Sequence, residues 1–180
     1  MSRMRSKFFW VMTAWLGLSA CSPEQNWRQV SFDGTGLTAQ LPCKPDRTVR
    51  EVPLGPAPVK LSVAGCESGE AMLVVMSGAL APGADAQAVL LGWRQASLAH
   101  LQADQGSGDA RAWQPAGWLP LGGALQQTAQ GRRADGRPVV AHLAWGAFAE
   151  GEHVRVVHAA VYAPRGRPEL AQGLLDGLKP

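Results

Sequence analysis

Cysteine is scarce in this chain, three in 180 residues, and no two stand in the Cys-x-x-Cys spacing of thiol redox centres and many zinc sites. No histidine falls between Cys43 and Cys66 to complete a metal-ligand set. The Gly-x-Ser-x-Gly turn that lifts a nucleophilic serine out of a sheet is missing, and so are internal repeats and low-complexity runs. The apolar run Phe8 to Leu18 falls well short of the roughly 20 residues that carry a helix across a bilayer. Positive charge is also in short supply. The 17 Lys and Arg outnumber the 14 Asp and Glu only because of Arg3, Arg5 and Lys7; from residue 21 onward the two signs balance. A nucleic-acid partner calls for a basic surface, and this balance excludes that class.

What the N-terminus does contain is an export signal in three parts. Arg3, Arg5 and Lys7 form a positive region, Phe8 to Leu18 an apolar one, and Ser19-Ala20 a small-residue cleavage site. Leu18-Ser19-Ala20-Cys21 resembles the lipobox of bacterial lipoprotein precursors. The resemblance implies a signal peptide over 1–20, cleavage between Ala20 and Cys21, and acyl chains on Cys21. Two or more such chains anchor a protein stably, at about 0.8 kcal/mol per buried methylene. Ser22 in the next position implies sorting to the outer membrane, with the domain facing the periplasm. An ordinary secretory signal cut near Ala20 is the competing reading.

Once Cys21 carries lipid, Cys43 and Cys66 are an even pair, and an oxidising periplasm favours a disulfide between them. After a tether over 21–26, residues 27–180 are enough for one ordinary domain and short for two.

Alternation and turn residues place strands at Trp27 to Phe32 and Leu37 to Leu41, at Thr48 to Leu54 and Val59 to Gly65, and at Met72 to Ala79. Cys43 and Cys66 fall at strand ends on this reading, so their bridge clamps the loop after the second strand to the sheet rim. Asp85 caps a helix running to about Asp104, with Val89, Leu90, Trp93, Ala96 and Leu101 on its apolar stripe. Strands follow at Ala110 to Trp113, Ala124 to Gly131, Val139 to Ala147 and Val154 to Ala163. Pro168 opens a short final helix with Leu170, Leu174 and Leu178 on one face; Gly173 and Gly177 require packing to hold it. In the last two strands Leu143, Trp145, Val156 and Tyr162 compete for burial with Val140, Phe148, Val157 and Val161. Helices on both faces of the sheet reconcile the two sets.

Candidate chemistry is thin. His100 falls in the helix stripe, which reads as a packed histidine, and Ser97 beside it lacks a third orienting group. A Glu150-Gly151 loop pairs His142 with Ala159 and His158 with Leu143, which puts the two histidines on opposite sheet faces. His153 shares the face of His142 about 20 Å away at the strand rise. No metal site or cofactor is therefore expected, and no catalytic residue is assigned. Arg132, Arg133 and Arg137 at the Asp135-Gly136 tip read as solvated, and Trp118 as the one exposed tryptophan of a set that otherwise fills the core.

Two hairpins, a strand, a long helix, four strands and a short C-terminal helix, with Leu37-Thr38-Ala39-Gln40-Leu41-Pro42 near the start, resemble the PsbP-like fold of bacterial envelope proteins. The resemblance implies an α+β domain: a mainly antiparallel sheet with both helices packed on it. The expected role is non-enzymatic binding or assembly on an envelope protein partner, alongside the membrane contact. Alternatives are an envelope hydrolase and a peptidoglycan-associated structural lipoprotein.

Overall fold

The alternating segments assemble into nine strands and two helices in a computed structural model that describes residues 25–103 and 110–180. The strands are β1 (Arg28–Ser31), β2 (Thr38–Leu41), β3 (Asp46–Pro53), β4 (Pro58–Ser68), β5 (Ala71–Ala79), β6 (Arg111–Ala112), β7 (Leu125–Arg132), β8 (Pro138–Glu150) and β9 (His153–Ala163). The helices are α1 (Ala86–His100) and α2 (Pro168–Asp176). Seven strands form one antiparallel sheet in the order β3-β4-β5-β9-β8-β7-β6, while β1 and β2 pair separately. The domain is α+β, mostly antiparallel sheet.

Both faces of the sheet are apolar because each has its own cover. Leu61, Leu143, Trp145, Val156 and Ala160 pack beneath Val89, Leu90, Trp93 and Leu98 of α1. On the other face Leu73, Val75, Phe148, Val157 and Val161 pack beneath Val30, Leu37 and Leu41 of the β1–β2 hairpin and Leu170 and Leu174 of α2. The competing residue sets in β8 and β9 are thus the two sides of one sheet.

Cys43 and Cys66 are disulfide-bonded, with Cα atoms 5.9 Å apart and a sequence separation of 23. Cys43 follows β2, but Cys66 sits inside β4 opposite Leu73, not at a strand end. The strand runs on because the turn tightens to Gly69-Glu70: Gly69 has φ 58°, the conformation a two-residue loop needs at its first position. The bridge joins the hairpin layer to the main sheet. The same rule corrects the last hairpin. Gly151, at φ 59°, is the first loop residue rather than the second, so Glu150 pairs with His153.

Asp85 caps α1, its carboxylate accepting from the Ala88 N–H at 3.1 Å. The helix stops at His100, earlier than the sequence suggests. Gln102 takes the left-handed conformation (φ 51°), and the N–H groups of Gln102 and Ala103 bond back to Ala99 and Leu98, as in a Schellman cap. The Arg132 N–H also bonds the Leu101 carbonyl at 2.7 Å, pinning this end against β7. The last turn consequently buries Leu98 and Leu101, and Ala96 and His100 are exposed, contrary to the expected stripe.

Trp118 is also a correction. It is 7% exposed, 4.6 Å from Trp113 and 5.6 Å from Phe148 between ring centroids. Gly146 makes the slot: a Cβ there would lie 2.7 Å from Trp113 and 2.8 Å from Trp118. The loop is drawn in as well by the Leu119 N–H, which bonds the Ala147 carbonyl at 2.8 Å where β7 no longer covers β8. Gly173 does the same for Trp27, whose ring lies where its side chain would be, so the glycines of α2 are sites of close packing.

Candidate functional site

α2 lies over one face of the sheet but does not reach its β6 edge, which leaves a cleft of about 360 Å³. Ala159, Val161 and Leu174 give it an apolar floor, and Arg111, Gln126, Thr128, His142 and Gln172 a polar rim. It adjoins a second hollow of about 310 Å³ that shares Gln126, Gln172 and Leu175 and runs on past Trp113 towards Lys179. The rim is largely self-bonded. Arg111 donates to Gln126 at 3.3 Å, and Gln172 to Asp176 at 2.7 Å.

His142 is the key residue of this cleft. The Arg167 backbone N–H points at its Nε2, 3.0 Å away, and its Nδ1 is 2.9 Å from Thr128 Oγ1. A backbone N–H can only donate, so Nε2 must be the bare nitrogen and Nδ1 carries the proton, given to Thr128. Burial holds the imidazole below its ordinary pKa, an effect partly offset by the Glu169 carboxylate. His142 is therefore a neutral clip that fixes the start of α2 to β7 and β8. The Thr128–His142 pair has the composition of a nucleophile and base but the wrong proton arrangement. To accept the hydroxyl proton, Nδ1 would have to be bare, which would place a second proton donor against the Arg167 N–H.

The other histidines are dispersed. The corrected hairpin sets His142 opposite Val161 and His158 opposite Trp145; the shift is of two residues, so the two still face opposite sides of the sheet. His158 is fully buried beneath α1, its Nδ1 2.9 Å from the Ala144 carbonyl and its Nε2 without a partner. Desolvation lowers its pKa to about 4, with the Ala144 bond opposing. His100 and His153 are exposed. The Ser97 hydroxyl is turned away to the Trp93 carbonyl at 2.9 Å. Among the described residues no three His, Cys, Asp or Glu side chains converge on one point.

At the β7–β8 tip Arg137 pairs with Asp135 at 2.7 Å, both well exposed, and Arg132 donates to the Gly136 carbonyl at 3.0 Å. The cleavage and lipidation positions Ala20 and Cys21, with the signal segment 1–20, lie outside the described residues. The Thr128–His142–Arg167 contact escaped sequence reading because its third member is a backbone N–H, which no residue type announces. No protein-family model matches this chain, and no curated protein matches it in sequence.

Proposed function

We propose that this chain is a lipoprotein of the bacterial envelope, held by acyl chains on Cys21 at the periplasmic face of the outer membrane, whose domain binds a protein partner or envelope component without chemistry of its own. The observation that carries the reading is the pairing of Cys43 with Cys66. It accounts for two of the three cysteines, and the one over is the cysteine of Leu18-Ser19-Ala20-Cys21. A structural disulfide also suits an exported protein. Binding is favoured over the hydrolase alternative by His142, whose bare nitrogen is taken up by the Arg167 N–H. The element order, with two hairpins and a strand before α1 and four strands before α2, supports a PsbP-like fold.

The test is the intact mass of the protein extracted from native membranes, beside a Cys21→Ser variant. A chain beginning at residue 21 with added acyl mass, lost in the variant, is expected; a lipid-free chain in both overturns the anchor. Turnover in a screen of ester, amide and glycan substrates would replace binding with hydrolysis. Co-sedimentation with purified sacculi would make peptidoglycan the envelope component bound.

A further inference from the structure

β3 is one of the two outer strands of the main sheet, and the residues along it form an unbroken ladder with β4 on one side only. Which backbone groups point outward follows from two prolines. Pro53 and Pro58 are cross-strand partners, and neither has an N–H to exchange, so theirs is a non-bonded pair. Alternation then makes Val52–Val59, Arg50–Leu61, Thr48–Val63 and Asp46–Gly65 the bonded pairs. The tight Gly69-Glu70 loop gives the same parity independently. Closing on a bonded Ser68–Ala71 pair, it sends the even-numbered residues of β4 towards β5 and the odd-numbered ones towards β3.

Arg47, Val49 and Glu51 therefore turn N–H and C=O away from the sheet, where no described residue meets them. Their side chains share one face. Val49 is 54% exposed, a large apolar side chain at the centre of an open edge. Exposed edges are normally broken by a bulge, a proline or same-sign charge; β3 has its proline only at its last residue, Pro53, and the run Arg-x-Val-x-Glu before it uses none of these. Read antiparallel against itself, it matches.

We infer that β3 pairs with β3 of a second copy of this chain, antiparallel about a two-fold axis at Val49. Val49 then lies opposite the partner's Val49, and Arg47 opposite the partner's Glu51, twice over by symmetry. All three are bonded ladder positions, so each exchanges both N–H···O=C bonds. Other registers of the same parity fit worse. Moving two residues one way sets Arg50 against itself, and moving two the other way leaves Glu51 facing Pro45 beyond the strand. Arg47 already donates one guanidinium N–H to the Ser31 carbonyl at 2.8 Å, which holds its side chain on this face while leaving further donors for a carboxylate.

The experiment is sedimentation equilibrium of the full chain, in density-matched detergent if it is membrane-bound. A reversible dimer is expected, with a dissociation constant raised at least tenfold by Glu51→Lys and recovered in the Arg47→Glu, Glu51→Lys double variant. Val49→Pro removes an outward N–H that β4 does not use and should leave a monomer; if it fails to fold by circular dichroism, the exposed charge variants decide alone. A monomer up to the solubility limit overturns the inference. So does a dimer whose constant ignores Glu51→Lys, or an edge filled by a different protein.

Discussion

The ring of His158 lies flat on the indole of Trp145, with centroids 4.9 Å apart and planes 3° from parallel, while Trp93 meets it edge-on at 5.4 Å. Imidazole in such a box is held neutral. The unfolded chain takes up this proton near pH 6.5 and the folded one only at about 4, so between those values the unfolded state binds more protons. Stability is thus full above pH 6.5 and falls as pH drops towards 4, by on the order of 3 kcal/mol. His142, also lowered, adds to the loss in the same direction. Denaturant titrations at pH 7 and pH 4.5 should show the decline. His158→Phe, which keeps the stack and loses only the Nδ1 contact with the Ala144 carbonyl, should flatten most of it.

Gly146→Ala drives a methyl into the Trp113–Trp118 pair. Trp118 is wedged between Trp113 and Phe148, so the strain is not relieved by a rotamer change, and a loss of about 1–3 kcal/mol is expected. A lower melting temperature with red-shifted tryptophan emission would record it. Unchanged emission would mean that the loop holding Trp118 yields instead.

Removing the disulfide by the double change Cys43→Ala and Cys66→Ala should cost about 3 kcal/mol, the chain-entropy value for a loop of this length. The bridge joins two layers, so hydrogen exchange should quicken first in β1 and β2 and only later in the main sheet. Uniform acceleration would show that the layers open as one unit.

Gln102→Gly should stabilise the domain by about 1 kcal/mol, because the left-handed conformation at the end of α1 is costly for any residue with a Cβ. A rise in the denaturation midpoint without a change in slope is the expected record. No gain would mean that the Gln102 side chain compensates through contacts of its own.

Sequence pattern made the fold legible to a large degree. Alternation located the strands of both hairpins and of β5 through β9, and Asp85 and Pro168 marked the helix starts by chemistry the backbone then uses. Boundaries failed where a backbone conformation decided them. The end of α1 depends on a left-handed glutamine, and both two-residue loops depend on which position of the turn the glycine must take. Trp118 was misjudged because flanking Gly and Pro suggest a surface loop, whereas the gap left by Gly146 one strand away draws the ring inward. A glycine between Trp145 and Ala147, in the middle of a strand, was the available clue. Of the cleft, only His142 stood out in sequence. Its role depends on Arg167, distant in the chain and contributing main chain alone.

With apolar residues on both faces of the central strands, sliding one strand by a single position would still place oil against oil. Hydrophobicity therefore says little about alignment in β5, β8 and β9, and the task of rejecting misaligned sheets passes to Gly69 and Gly151, whose turns admit only one pairing, and to the size match of Gly146 with two tryptophans. Errors at those few positions would be expected to yield compact but wrongly threaded chains rather than unfolded ones, a failure that shows as slow refolding and aggregation before it shows as lost stability.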